Sequence, residues 1–285
     1  MQKRNSVFFI LGILFGFNVF AWNVLYDSNK SDFVEVTFFD VGQGDAAFIE
    51  SGHSHQILID GGPDAAVLEK LGKEMPFWDR TIDLIILTHP EHDHLAGLLE
   101  VLKRYEVKNI LWTGVVRDTA EFREWKKLIE EEGAKILIAK SLLRIDISKQ
   151  SFIDVLYPFE DLEGQEIKNP NNTSVIARLV FGEKSFLFTG DAEKSVEEKL
   201  LESGVEIDSD VLKVAHHGSK TSSIPEFIEE VSPGIAVISS GKDNAFGHPH
   251  PETLETLSKY GINVLRTDES GDIKILCDFQ SLKLR

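Results

Sequence analysis

The feature most informative about the fold of this chain is three clusters of histidine, each of which follows an apolar segment typical of a β-strand. They lie in THPEHDHLAG (residues 88–97), VAHHGS (214–219) and GHPHPE (247–252). In α/β architectures, active-site residues collect where strands end, because the loops converge there. Imidazole and carboxylate are the ligands of a catalytic divalent cation when thiolates are lacking, and the single cysteine is Cys277. The pattern therefore predicts an α/β fold with a metal site at its strand ends.

The segments between these clusters alternate between strand and helix patterns. FVEVTFF (33–39), DAAFIE (45–50), QILID (56–60) and TIDLIILT (81–88) are typical of strands, and AAVLEKLGKE (65–74) is typical of a helix. Strand-rich halves, each with helices after its strands, predict a layered α/β sandwich. We expect one catalytic domain over residues 33–285.

The first 32 residues do not fit this domain and predict a membrane anchor with a linker. Lys3 and Arg4 precede an uncharged run from Asn5 to Tyr26, which as a helix would be about 33 Å long, enough to span a bilayer. The basic residues favour a cytoplasmic N-terminus and an extracytoplasmic domain. The alternative is a cleaved signal peptide, with Val19 and Ala21 before the cut, which would secrete the domain.

The charge balance narrows the class of partner. Asp and Glu total 47 against 30 Lys and Arg, a formal net charge of −17. Such a surface argues against a general nucleic-acid coat protein, which binds by neutralising phosphates. It does not exclude a phosphate-containing substrate, because bound metal ions reverse the local potential.

The motifs at the strand ends resemble those of the metallo-β-lactamase superfamily. THPEHDHLAG resembles its H-x-H-x-D-H signature, and ILIDGG, with Asp60, resembles the motif before it. FLFTGDAE places Asp191 at the position of the aspartate that bridges two metals, and LKVAHHGS places His216 at that of the last ligand. This resemblance implies an α/β fold, a four-layer αββα sandwich.

A narrower resemblance covers residues 33 to 278. FFDVGQGDAAFIE, NNTSVIARL, FTGDAE, VAHHGS and GHPHPE occur in an order similar to that in the extracytoplasmic domain of ComEC-type competence proteins. That resemblance implies a nuclease of a DNA-uptake system, which cleaves phosphodiesters with a metal-bound hydroxide.

The resemblance also implies a ligand set for one or two divalent metal ions, Mn²⁺ or Zn²⁺. The metal ligands it implies are His89, Glu91, Asp93, His94, Asn172, Asp191 and His216. Glu91 stands where the superfamily has its second histidine, and Asn172 or its neighbour Asn171 stands at the histidine of the third motif. Both changes replace nitrogen by oxygen, which favours Mn²⁺ or Mg²⁺ over Zn²⁺.

The remaining candidate residues have supporting or catalytic roles in this scheme. Asp93 or Asp191 is expected to orient the hydroxide, and His248 to bind a phosphate oxygen or protonate the leaving group. We expect four residues to lie behind the ligands or to contact substrate: Asp45, Asp60, His217 and Ser219.

The preferred function is a phosphodiesterase, with DNA as the substrate that the resemblance implies and the membrane as a further partner. Two alternatives remain open on the sequence alone. One is an ester, lactone or lactam hydrolase of the same fold. The other is a metal-binding module with reduced catalysis, motivated by Glu91 and Asn172.

Overall fold

The computed structural model describes residues 12–18, 21, 33–52 and 55–285. Within them, seventeen strands form two large sheets and one small one. In chain order the strands are β1 (Val34–Phe38), β2 (Ala47–Ser51), β3 (Gln56–Ile59), β4 (Thr81–Ile82), β5 (Leu84–Ile86), β6 (Glu106–Val107), β7 (Asn109–Trp112), β8 (Lys135–Ile138), β9 (Arg144–Asp146), β10 (Ser151–Tyr157), β11 (Ile176–Phe181), β12 (Lys184–Phe188), β13 (Val211–Lys213), β14 (Ile235–Ile238), β15 (Asn263–Arg266), β16 (Ile273–Cys277) and β17 (Leu282–Leu284).

Seven helices follow strands in the same region. They are α1 (Ala66–Glu74), α2 (His92–Leu102), α3 (Ala120–Glu132), α4 (Lys194–Ser203), α5 (Pro225–Val231), α6 (Pro251–Lys259) and α7 (Thr267–Ser270). Two short 3-10 turns, Pro170–Thr173 and Ala215–Gly218, lie in loops that the sequence pattern did not distinguish.

The strand order in each sheet separates antiparallel from parallel pairs. The first sheet runs β17-β16-β1-β2-β3-β5-β7-β8 and the second runs β15-β14-β13-β12-β11-β10-β9. Strands β3, β5, β7 and β8 are parallel neighbours, as are β12 to β15. Loops that follow these parallel strands therefore emerge at the same edge of their sheet.

The two-residue alternation in the first sheet explains why the sandwich has helices outside and a core inside. Phe38 and Ile49 point into the core between the sheets, together with Phe188 of the second sheet. Phe48 and Leu58, one residue out of step, face the opposite side and pack with the first three helices. Full burial of each such side chain is worth roughly 1.5–3 kcal/mol.

The second sheet buries its outer face in the same way. Leu200, Phe227 and Leu257 of the helices α4, α5 and α6 share an apolar cluster with Leu212 of β13. The layers are therefore helices, sheet, sheet and helices. The predicted α/β fold with two packed sheets is confirmed.

One predicted strand is divided in two. TIDLIILT forms β4 and β5, separated at Asp83, whose carboxylate accepts hydrogen bonds from the Gln56 backbone N–H (2.9 Å) and the Lys108 ammonium (2.8 Å). β4 leaves the large sheet and pairs with β6 in the two-stranded sheet.

The predicted N-terminal anchor lies outside the described residues, apart from 12–18 and 21. Residues 12–18 are helical, and Ile13, Leu14, Phe15 and Phe17 in that segment are exposed. Among the residues that the structure describes, no helix combines the length and the hydropathy needed to cross a membrane.

Candidate metal centre

The ends of parallel strands from both sheets meet at one end of the sandwich. Asp60 and His89 follow β3 and β5 of the first sheet, and Asp191 follows β12 of the second. His216 and His217 lie in the turn after β13. The convergence expected from the sequence pattern is therefore present in the structure.

Helix α2 contributes Asp93 and His94 through an unusually close approach to the loop after β3. A Cβ atom on Gly97 would overlap the carbonyl oxygen of Gly61, so only glycine allows this distance. Gly61 N–H donates to the carbonyl oxygen of His94 (2.8 Å), which ties the first turn of the helix to the loop that carries Asp60. The imidazole of His94 is fully buried there.

Four imidazoles present the same atom to the same carboxylate. Their Nε2 atoms lie 3.2 Å (His94), 3.5 Å (His217), 3.8 Å (His216) and 3.9 Å (His89) from an oxygen of Asp191. The Asp93 carboxylate joins them, 3.2 Å from Nε2 of His217. Asp93, His94, Asp191 and His217 offer ligand atoms that all lie within 4.8 Å of one another.

The other ring nitrogen, Nδ1, is held in each case by a surrounding oxygen. The partners are the carboxylate of Asp60 for His94 (2.8 Å), the hydroxyls of Thr88 and Thr221 for His89 and His216 (3.1 Å each), and the Ser239 carbonyl for His217 (3.0 Å). Such contacts fix ring orientation and tautomer in metal sites.

The hydrogen bonds of the Thr88 hydroxyl determine the tautomer of His89. Its proton goes to Asp60 Oδ2 (2.7 Å), so Thr88 Oγ1 accepts from Nδ1–H of His89. Burial, together with the charge of His94, lowers the pKa of His89 to about 3. The neutral ring therefore keeps its lone pair on Nε2, which faces Asp191.

Several of these inward atoms have no hydrogen-bond partner among the described residues. They are Nε2 of His89, Nε2 of His94 and Oδ1 of Asp191, each buried; the last two lie 3.2 Å apart without the geometry of a hydrogen bond. Unpaired buried polar atoms carry a substantial desolvation cost. Two nitrogens and a carboxylate oxygen of this kind are the donors that a divalent cation takes, so the residues fit a metal ion.

The charges of the group lead to the same conclusion. Burial opposes the charge on His94 and on His217. For His94 the carboxylates of Asp191 and Asp60 outweigh it and raise the pKa well above its usual value; for His217, Asp191 and Asp45 raise the pKa to about 10. Burial also disfavours the charged form of Asp191, yet His217 and His94 hold its pKa well below the usual range. The buried carboxylates thus require positive charge, which a divalent cation would supply.

His217 lies inside this group, although the sequence suggested a place behind the ligands. The two adjacent histidines have left-handed backbone angles, with φ of 50° at His216 and 54° at His217. Neighbouring side chains in such a turn do not alternate between faces as they do in a strand. Both rings therefore reach Asp191, and the buried His217 ring is the closer.

Two predicted ligands make other contacts. The Glu91 carboxylate lies 2.7 Å from the guanidinium of Arg117. The Asn172 amide oxygen accepts from the backbone N–H of Glu193 (3.1 Å), and its nitrogen donates to the Glu193 carboxylate (3.2 Å). The structure does not bring Glu91 or Asn172 into the group. Instead, the amide nitrogen of Asn171 lies 3.5 Å from Nε2 of His216.

His248 lies at the rim of the group. Its ring centroid is 5.6 Å from that of His216 and 6.2 Å from that of His217. Burial and the neighbouring imidazoles lower its pKa to about 4, so the ring is neutral near pH 7. This position suits contact with a substrate.

Three of the four predicted supporting residues, Asp60, Asp45 and Ser219, lie around the group. Asp60 accepts from Thr88 N–H (2.8 Å) as well as from His94. Asp45 lies 3.2 Å from Nδ1 of His217. Ser219 contacts the group indirectly: its hydroxyl accepts a hydrogen bond from the Thr221 hydroxyl, which in turn contacts Nδ1 of His216.

Two contributors were missed from the sequence. Lys213 is buried, with its ammonium 2.8 Å from the Asp45 carboxylate. Burial raises the pKa of Asp45, but the charges of Lys213 and His217 outweigh it and lower the pKa to about 2. A lysine inside the apolar strand pattern DVLKVA was the signal available for it. Gln43 lies 3.5 Å from Nδ1 of His248 and accepts from Gly241 N–H (3.1 Å).

The chain is similar to a known protein family and to bacterial competence proteins. The family described as the Metallo-beta-lactamase superfamily matches residues 39–242. ComE operon protein 3 of Bacillus subtilis (strain 168) is 33% identical over 258 residues, which cover 84% of this chain and 32% of that protein. Competence protein ComA of Neisseria gonorrhoeae is 32% identical over 243 residues, with the same two coverages. This chain thus spans about a third of the length of these relatives, and the resemblance to competence proteins is confirmed.

The fold also recurs in solved structures. Igni18, described as a novel metallo hydrolase from the archaeon Ignicoccus hospitalis KIN4/I, superposes with a TM-score of 0.58 at 15% identity, covering 87% of this chain and 100% of that one. At this identity the likeness shows the fold alone.

Proposed function

This chain belongs to the metallo-beta-lactamase superfamily, and from that premise we propose that it is a metal-dependent phosphodiesterase that cleaves single-stranded DNA. One observation carries the proposal: four histidines present Nε2 to Asp191 while their Nδ1 atoms are held from behind. The similarity to competence proteins supports the choice of DNA.

The residues that would hold the metal are His94, Asp191, His217 and Asp93, with His89 and His216 around the same carboxylate. A divalent cation there would activate water and stabilise the negative charge that develops on a cleaved ester. Because four imidazoles face Asp191 while Glu91 and Asn172 do not, we favour Zn²⁺ over Mn²⁺.

The protein's own side chains provide orientation and substrate contact. The Asp60 carboxylate and the Ser239 carbonyl keep the rings of His94 and His217 in place through Nδ1. Asp93, whose side chain is 31% exposed, is open to solvent and can orient water. His248 is neutral near pH 7, so we assign it as a hydrogen-bond donor to a phosphate oxygen rather than as the acid for the leaving group.

The test uses the full chain in detergent, loaded with Zn²⁺, Mn²⁺ or Mg²⁺. Substrates are end-labelled single-stranded DNA, bis(4-nitrophenyl) phosphate, a lactone and a chromogenic lactam. We expect cleavage of both phosphodiesters and its loss on chelation. Asp191→Asn should abolish cleavage, whereas Asp210→Asn, at the far end of β13, should not. Turnover of the lactone or lactam without the phosphodiesters would move the assignment to the alternative hydrolase class.

A second candidate is a metal-binding module without catalysis. The pairing of Glu91 with Arg117 and of Asn172 with Glu193 favours it, because both predicted ligands are engaged elsewhere. Bound metal with no turnover of any substrate would support this candidate.

We also propose that residues 1–32 anchor the domain outside the cytoplasm. At one end of the first sheet, Val34 of β1 pairs with Ser51 of β2, and Gln56 begins β3. β1 ends at Phe38 and β3 ends at Ile59, both at the opposite end, where the metal centre lies. The chain therefore enters about 17 Å, the length of β1, from the metal end.

The exposed aromatic pair Phe77 and Trp78 lies at the entry end, beside Asp79, which accepts from the Gln56 side chain (2.9 Å). Exposed aromatic rings there suit an end that faces a bilayer. This placement would be supported if the protein stays in the membrane fraction after carbonate extraction and if protease added from outside the cell cleaves the domain. A mature chain that starts after Ala21 would instead indicate signal cleavage.

A further inference from the structure

The loop between β14 and α6 extends a row of aromatic rings from the metal centre to the surface. His248 lies against the rings of His216 and His217. Phe246 stacks on His248, with ring centroids 5.7 Å apart and an interplanar angle of 22°. The Phe246 side chain is 66% exposed. A flat apolar surface therefore adjoins the hydrolytic group.

Asn244 holds the backbone of the loop that carries this ring. Its amide oxygen accepts from the backbone N–H groups of Phe246 (3.1 Å) and His248 (3.0 Å). Its amide nitrogen donates to the carbonyl oxygens of His248 (2.6 Å) and Gly241 (2.9 Å). An exposed ring on such an ordered loop loses little conformational entropy when a ligand packs against it.

Lysines are exposed on the two loops that carry these imidazoles, and Asp243 is exposed next to Lys242. Lys242 is exposed on the same loop, and Lys220 is exposed where its backbone N–H donates to Nδ1 of His250 (3.3 Å). The His250 ring is 4.8 Å from that of His248. In a chain of net charge −17, Lys220 and Lys242 are cationic positions on these two loops that a phosphate backbone can approach.

We propose that Phe246 stacks on a nucleobase of single-stranded DNA next to the phosphodiester held at the metal centre, and that Lys220 and Lys242 contact the adjoining backbone. The inference rests on the proposed phosphodiesterase function and adds how its substrate is positioned. Stacking of bases on aromatic rings tolerates any sequence, since every base has a π-face. The site therefore selects for base-bearing strands without reading their sequence.

The decisive comparison uses two oligomers with the same charged backbone, oligo-dT and an abasic analogue of equal length. Binding of each labelled oligomer to the full chain is measured by fluorescence anisotropy, and kcat/KM is measured where cleavage occurs. We expect the wild type to prefer oligo-dT, and Phe246→Leu to weaken oligo-dT binding by roughly 5- to 150-fold, the effect of losing one base–aromatic stack. The affinity for the abasic oligomer should not change. Phe246→Trp should retain the preference.

The matched control is Phe77→Leu, which changes a ring that is 82% exposed at the opposite end. It should leave both affinities unchanged. Equal loss for the two oligomers in Phe246→Leu, or no loss for either, overturns the stacking role. Because binding is measured separately from cleavage, a protein that binds with this preference but cleaves nothing refutes the proposed hydrolysis and leaves the stacking site intact.

Discussion

The contact between Asp60 and His94 gives the sharpest test of the metal centre, through the substitution Asp60→Asn. Asp60 Oδ1 accepts from Thr88 N–H (2.8 Å), and Oδ2 accepts from the Thr88 hydroxyl (2.7 Å) and from Nδ1 of His94 (2.8 Å). Asparagine has the same shape, but one of its two terminal groups is a donor. Its oxygen must stay opposite Thr88 N–H, so its NH₂ faces His94.

The consequence is a change of tautomer. A neutral His94 must then accept at Nδ1 and carry its proton on Nε2, the atom 3.2 Å from Asp191. A protonated Nε2 cannot bind a metal. Loss of a partner of this kind typically lowers metal affinity about 10- to 100-fold, or roughly 1.4–2.8 kcal/mol.

Calorimetric titration of the metal-free full chain with Zn²⁺ and Mn²⁺ measures this loss. Asp210→Asn is the matched control, because Asp210 also accepts a backbone N–H, from Ser185 (2.9 Å), and pairs with Lys184 (2.6 Å). Its metal affinity should equal that of the wild type. If Asp60→Asn binds metal within twofold of the wild type while remaining folded, then His94 is not a ligand oriented by Asp60.

Three further predictions follow from the same structure. His217→Asn should weaken metal binding more than His216→Asn, because His217 is buried and belongs to the four-residue group whereas the His216 side chain is 22% exposed; equal affinities in titration would contradict this. Gly97→Ala should lower the free energy of unfolding by about 1–3 kcal/mol, because the added Cβ overlaps a backbone carbonyl. Gly72→Ala, in open space on α1, should raise it by roughly 0.5–1 kcal/mol. Urea unfolding measures both changes. Burial raises the pKa of Glu197 from its ordinary 4.5 to about 7, so its ionisation should reduce stability as pH rises from about 4.5 to 7; the free energy of unfolding of Glu197→Gln should lack that decline, and parallel pH profiles would refute the shift.

The strand patterns and their spacing predicted much of this fold. The alternation in FVEVTFF and QILID separates Phe38 and Ile59 from Leu58, and those residues do face opposite sides of the first sheet. The break at Asp83 was not predictable, because it depends on Gln56 and Lys108, which are distant in sequence. The N-terminal anchor stays a prediction.

The candidate site shows the same division. Which chemistry is possible follows from the sequence alone, because histidines and aspartates that follow parallel strands gather at the edge where those strands end. Which ring nitrogen faces inward depends on the tertiary structure, because ring orientation is set by partners such as Asp60 and Ser239 from other loops. The tertiary structure also places His217 in the group and keeps Asn172 out of it. The left-handed backbone at His217 and the hydrogen bonds of Asn172 with Glu193 both result from packing. No local sequence pattern predicts either of them.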